Sequence, residues 1–173
     1  LERDGWNITA IHRNKIDHPL LQTANVSWKE SSLFDVESLI KAMPNGDFTV
    51  FHLAASTAQW KPQFAMQRKT NVMGTANMIE AALYKKATRF VHTSSITTYG
   101  LHEDIINEKS PQTAKETNLQ YAITKLEGEE LVKKAVREQN LDAVILNPCH
   151  IIGPWDTHNW IQLFEKVIDK SLP

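Results

Sequence analysis

Tyr121 and Lys125 stand four residues apart in the segment YAITK. On a helix that spacing sets both side chains on one face, about 5–6 Å apart at Cβ. A free phenol, with a pKa of about 10, is a poor base at neutral pH. A neighbouring ammonium stabilises the phenolate, so the pair is expected to show a lowered phenol pKa and to act as a proton shuttle for an alcohol or a carbonyl. Such pairs also arise by chance, and this one gains weight only from what accompanies it. Ser94 and Ser95 close the segment RFVHTSS, with Tyr99-Gly100 just beyond. A hydroxyl at the carboxyl end of a strand can hydrogen-bond a substrate oxygen, although Ser is also an ordinary turn residue. In HLAAS (His52–Ser56) two alanines sit at another strand end. Small side chains there let a flat ligand or a pyrophosphate lie against the backbone, or simply let a helix pack close.

The elements that must position these residues alternate along the chain. Asn7–His12 and Asn25–Trp28 are β-prone. Ser31 and Ser32, with Asp35 three residues after Ser32, predict a helix over Leu33–Met43. Phe48–Ala55 is a continuous apolar run that predicts a strand buried on both faces. Pro62 suits a first helical position, and Val72, Ala76, Ile79 and Leu83 form one helical stripe. Arg89–Ser95 predicts a further strand, Leu119–Glu138 a long helix, and Ala143–Pro148 a last buried strand. Leu1–Gly5 reads as the last turn of a helix with its glycine stop, which predicts that something precedes it. Alternating strands and helices imply an α/β fold with a doubly wound parallel sheet, whose ligands sit beyond the carboxyl ends of the strands.

Composition narrows the class. The chain has 173 residues, 42% hydrophobic and 23% charged, which describes an ordinary folded domain rather than a disordered or low-complexity segment. Nineteen basic against twenty acidic residues leave a net charge of −1, with no basic excess for nucleic acid or anionic lipid. No apolar run approaches the roughly 18 residues of a membrane span. Cys149 is the single cysteine, which excludes an internal disulfide and a Cys-rich zinc site and suits the cytoplasm. The seven His are scattered, and Asp156 with His158 are too few ligands for a metal hydrolase. Glu127, Glu129 and Glu130 read as a solvated helix face, with Lys133 and Lys134 at i+4 to two of them.

In order, HLAAS, TNVMGTAN, HTSSITTYG, YAITK and NPCHIIGP resemble the extended short-chain dehydrogenase/reductases, the NAD(P)-dependent epimerase/dehydratase family. The resemblance runs from about Asn7 to Trp155. It implies a Rossmann-like fold, hydride exchange at nicotinamide C4, and a catalytic set of Ser95, Tyr121 and Lys125, the lysine also holding the nicotinamide ribose. It implies cofactor contacts from Leu53, Ala54 and Ala55, from Asn71, and from Pro148, Cys149 and His150 against the nicotinamide ring. Residues 1–150 are then a partial NAD(P)-binding domain and 151–173 the start of a substrate-binding region, with Trp60, Trp155 and Trp160 as pocket-wall candidates for which core or interface packing is the favoured reading. The family's usual partners are a second copy of the chain, as a homodimer, and a small-molecule carbonyl, alcohol or nucleotide-sugar substrate.

Several departures shape the expectation. The family's first strand and glycine-rich phosphate turn are not in this sequence, so two strand edges are expected to lack a partner. At the end of the Asn7–His12 strand stands His12-Arg13-Asn14-Lys15, with no carboxylate before Asp17, which favours NADP(H) over NAD(H) through Arg13. Ser32, followed by Leu33, replaces the family's Asp at the adenine contact. Ile96 and Thr97 follow Ser95 where dehydratases carry acidic residues, and NPCHIIGPW looks like the dihydroflavonol-reductase-like members. Asn147 stands where many nucleotide-sugar enzymes have Arg. A carbonyl reductase leads, a sugar epimerase is the alternative, and a non-catalytic nucleotide-sensing module is the rival from another class.

Overall fold

The computed structural model describes residues 1, 4–13, 25–153 and 160–171. Asn14, Lys15, Asp17, Trp155, Asp156 and His158 lie outside the described residues. Among the described residues five strands form, all pairing in parallel: β1 (Ile8–His12) with β2 (Val26–Glu30), and β3 (Thr49–His52), β4 (Arg89–Thr93) and β5 (Ala143–Leu146) in that spatial order. β1 and β3 each have a single strand neighbour among the described residues. Both ladders nevertheless share one core, because Ile11 of β1 packs against the cluster that holds Leu39, Val50, Ile79, Phe90 and Val132.

Helix α1 (Val36–Ala42) starts later than the sequence predicts. Asp35, not Ser31 or Ser32, is its N-cap, its carboxylate accepting the Ser38 N–H at 3.1 Å. Ser32 caps a preceding turn instead, accepting the Phe34 N–H at 3.2 Å, while its own carbonyl takes the Asp35 N–H. An acceptor one turn nearer the apolar run satisfies the helix's orphan donors, so the serines are left outside.

From residue 61 to 84 the chain is helical but not uniform. A 3₁₀ turn (Lys61–Gln63) containing Pro62 leads into α2 (Phe64–Arg68), then a π turn (Lys69–Met73), then α3 (Gly74–Tyr84). The wider π turn rotates what precedes it relative to α3. Ile79 and Leu83 reach the core, whereas Val72 and Ala76 line a surface groove beside Leu131. Helix α4 (Gln120–Gln139) ends where Asn140 takes a left-handed conformation, and α5 (Trp160–Ile168) has no buried residue. No helix among the described residues is long and apolar enough to cross a membrane.

The strands are not covered on both faces as the apolar runs suggest. Val50 and His52 of β3 are buried, but Phe51 is 49% exposed, and Val144 and Leu146 of β5 are open in the same way. Side chains alternate along a strand, and α1, α3 and α4 supply cover to the Val50–Phe90 face. A run of apolar residues cannot tell which of its faces a helix will reach.

Candidate active site

Parallel register sets the site. His52 lies opposite His92 and Thr93 opposite Leu146, so the three strands finish level. The β4–β5 ladder then continues past both strands, with Ser94 N–H on Leu146 O at 2.7 Å and Ile96 N–H on Pro148 O at 3.0 Å. Beyond these ends opens a cavity of about 720 Å³. Its walls bring together Ser95, Tyr121 and Lys125 with Leu53, Ala55, Pro148, Cys149 and His150. Thr57, Gln59, Thr93, Ser94, Ile151, Trp160 and Leu163 complete it.

Ser95 caps the 3₁₀ turn Ile96–Tyr99, its Oγ accepting from Thr97 N–H at 3.2 Å and Thr97 Oγ1 at 2.9 Å. With its lone pairs engaged, Ser95 is left as a hydrogen-bond donor, and the Tyr121 oxygen is its acceptor. Burial pushes the Tyr121 phenol above its ordinary value, and a hydrogen bond with Ser95 only partly opposes this. That corrects the expectation of a phenol made acidic by Lys125: the Lys125 Nζ donates to the Thr93 carbonyl at 2.7 Å rather than to the phenol. Burial draws Lys125 itself down to about 8, with the Glu129 carboxylate opposing. At neutral pH the phenol is therefore protonated and the ammonium charged. Beneath them, His52 and His92 stack with ring centroids 5.5 Å apart, and burial holds them near 3 and 4, so both are neutral.

Asn71 does not line the cavity. Its Oδ1 accepts the Ser56 N–H at 2.7 Å, and its Nδ2 donates to Ser56 O and Thr124 Oγ1, both at 3.0 Å. The side chain thus clamps the turn after β3 to α4 and acts on the cavity through Ser56. Gly128 makes the clamp possible, since a Cβ there would lie 2.6 Å from the Asn71 carbonyl oxygen.

The carboxylate trio also differs from the solvated face expected of it. Glu130 is exposed and pairs with Lys115 at 2.7 Å, not Lys134, and Glu127 pairs with Arg68. Glu129, however, is 2% exposed. It keeps its ion pair with Lys133 at 2.7 Å and accepts from Ser94 Oγ at 2.7 Å, Gln112 Nε2 at 2.7 Å and Asn147 Nδ2 at 2.9 Å. Burial would raise its pKa, but the bonds from Lys133, Ser94, Asn147 and Gln112 together hold it below the usual carboxylate range. Asn147 is engaged in this network and on Ser95 O at 3.1 Å. One signal could have found Glu129: it falls on the same stripe as Tyr121 and Lys125, at successive i+4 steps.

Arg13 is exposed at the end of β1, and Ala54 is exposed beside the cavity without lining it. Ser32 is half-buried, and Leu33 packs over Gly74, its carbonyl accepting from Asn77 Nδ2 at 2.9 Å. Trp60 is exposed and outside the cavity, whereas Trp160 lines it and meets His150 edge-on at 4.8 Å.

The family model described as the NAD dependent epimerase/dehydratase family matches residues 1–171. The chain belongs to that family. A 3beta-hydroxysteroid-dehydrogenase/decarboxylase of Arabidopsis thaliana is 31% identical over 138 residues, covering 79% of this chain and 24% of that protein. Among solved structures, that of gox2253 superposes with a TM-score of 0.88 at 28% identity, over 99% of this chain and 53% of its own. A UDP-glucuronic acid 4-epimerase from Bacillus cereus in complex with NAD gives 0.79 at 20% identity, over 98% and 57%. Matched relatives are named reductases, dehydratases and epimerases. The chain spans between about a quarter and a half of the length of the curated relatives it matches.

The residues present suit the nicotinamide end of such a cofactor. Lys125 has three N–H donors, of which Thr93 O takes one, leaving two for hydroxyls in the cavity. Leu53 and Ala55 offer open backbone, and Pro148 a flat apolar wall.

Proposed function

We propose that this chain carries the catalytic centre of an NAD(P)-dependent oxidoreductase that reduces a small-molecule carbonyl, or oxidises the corresponding alcohol. The observation that carries the reading is the convergence of the Ser95 hydroxyl, the Tyr121 phenol and the Lys125 ammonium on one cavity beyond the ends of parallel strands. Burial keeps the Tyr121 proton on its oxygen, so the phenol enters as an acid. In reduction, the phenolic O–H bond breaks as the substrate O–H bond forms, and the Lys125 charge stabilises the phenolate that remains. Ser95 donates a hydrogen bond to the same substrate oxygen and orients it, keeping its own proton. In the reverse direction the phenolate takes the alcohol proton back. When bound, the nicotinamide supplies or accepts the hydride. Leu53, Ala54 and Ala55 with Pro148, Cys149 and His150 would lie along it, Asn71 would act through Ser56, and Ser32 and Leu33 would meet the adenine end. The exposed Arg13 favours NADP(H) over NAD(H).

Residues 1–150 form the cofactor side and 151–173 begin the substrate side, a division supported by Ile151, Trp160 and Leu163 in the cavity wall. That apolar wall favours a substrate with an apolar skeleton, in line with the hydroxysteroid named for one relative, over the nucleotide sugar of an epimerase. Retention of all three catalytic groups disfavours a module that only senses a nucleotide. The groove of Ala65, Val72, Met73, Ala76 and Leu131 along α2, α3 and α4 supports a homodimer, and the single thiol a cytoplasmic setting. The deciding variant is Tyr121→Phe. Turnover should fall by about 10²–10⁴-fold while cofactor affinity, read by nicotinamide fluorescence, stays unchanged. Full turnover in that variant would refute the mechanism.

A further inference from the structure

We propose that Glu129 is a positioning residue of this site: its buried carboxylate locks the turn that presents Ser95 and keeps the ammonium of Lys125 charged. The inference rests on the functional reading above and adds a residue to it. Both carboxylate oxygens are fully engaged, Oε1 by Lys133 and Gln112, Oε2 by Ser94 and Asn147. Those donors come from four separate places: α4 itself, the loop before it, the end of β4 and the end of β5. Two of them pass the constraint to Ser95. Asn147 Nδ2 also donates to Ser95 O at 3.1 Å, and Gln112 Nε2 donates at 2.9 Å to Thr98 Oγ1, which in turn donates to Ser95 O at 2.9 Å. Ser94, the neighbour of Ser95, is held directly. A turn fixed at its carbonyl and at the preceding side chain has little freedom to swing its hydroxyl from the cavity.

Glu129 lies one helical turn beyond Lys125, and both are buried. Among the described residues, the titratable groups facing Lys125 are Tyr121 and Glu129 from α4, His52 from β3 and His92 from β4. Both histidines are neutral near pH 7, so Glu129 is the one anion among them. A carboxylate with four donors remains ionised, and an ionised neighbour is what an ammonium in a poorly solvated site needs.

The test is the titration of Lys125, followed through its ¹³Cε resonance in lysine-labelled full chain and assigned by its loss in Lys125→Met. Glu129→Gln removes the charge at constant size, and should move the Lys125 midpoint down by about one pH unit or more. The alkaline limb of the turnover profile should move with it, and Glu129→Asp should restore part of the shift. Lys133→Met acts in the opposite sense, because it leaves the carboxylate less neutralised, so the midpoint should rise. A merely structural lesion cannot give shifts of opposite sign. Should Glu129→Gln fail to fold, Lys133→Met still decides through the direction of its shift. An unmoved midpoint in Glu129→Gln, or a fall in Lys133→Met, overturns the proposal. Expected midpoints in a protein without turnover would instead leave this inference standing and defeat the oxidoreductase reading.

Discussion

Replacing Gly128 by alanine should destabilise the protein, against the ordinary preference of helices. In an exposed helix interior, Gly→Ala gains about 1 kcal/mol. Here the added Cβ would sit 2.6 Å from the Asn71 carbonyl oxygen and 3.5 Å from Thr75 Oγ1. The first neighbour is backbone and cannot rotate away, so α4 and the π turn must separate by several tenths of an ångström. Overpacking of this kind costs about 1–3 kcal/mol, which leaves a net loss of about 1 kcal/mol once the helical gain is subtracted. Gly74→Ala is the internal control. Its Cβ would meet the Leu33 side chain, which is only half-buried and can change rotamer, so the net effect should be close to zero. Urea unfolding of the three proteins at one pH, with m-values compared, provides the measurement. A lower midpoint for Gly128→Ala alone is expected. If Gly128→Ala proves more stable than the parent, the close approach of α4 to Asn71, and with it the clamp on Ser56, is wrong.

Further outcomes follow from the same geometry. Arg13→Ala should weaken NADPH far more than NADH in parallel titrations, and equal losses would remove the basis for cofactor choice. His52 and His92 are neutral in the folded state down to about pH 3 and 4, whereas unfolded histidine titrates near 6.5. The unfolded chain binds more protons in that window, so their contribution is complete above about pH 6.5 and is lost as the pH falls, by about 1.4 kcal/mol per pH unit for each ring. His92→Phe should therefore roughly halve the slope of stability between pH 6 and 4.5 in chemical denaturation, and an unchanged slope would contradict its assigned state. Ala76→Glu, which places a charge in the α2–α3–α4 groove, should convert the proposed homodimer into a monomer by light scattering; a dimer that persists would locate the contact elsewhere.

Much of the fold was legible because it is written locally. β1, β3, β4, β5 and α4 fall within a few residues of the segments that alternation and apolar runs mark out, and the strand ends carry Ser95 as expected. Tyr121 and Lys125 share a face because spacing alone decides that on a helix. What escaped the sequence depends on contacts between distant segments. Glu129 looked solvated since Lys133 at i+4 suggests a surface pair; the pair exists, yet Ser94, Gln112 and Asn147 arrive from 35, 17 and 18 residues away to bury the carboxylate. The phenol pKa went the other way because burial, invisible in a four-residue motif, outweighs the bond from Ser95, while the Lys125 ammonium turns toward Thr93. The bridge that the Asn71 amide makes from Ser56 to Thr124, across a close packing that Gly128 permits, is likewise invisible in the sequence.

The π turn at Lys69–Met73 amounts to one surplus residue in an otherwise regular helix. Deleting that residue would let the ordinary hydrogen-bond ladder run unbroken from Phe64 to Tyr84, and the helix alone would gain by it. Every side chain upstream of the deletion would then turn by about 100° relative to α3. The surplus residue is best understood as a phase corrector, which lets a single rod offer one surface to the interior while Gln67, upstream of it, reaches the loop after β3.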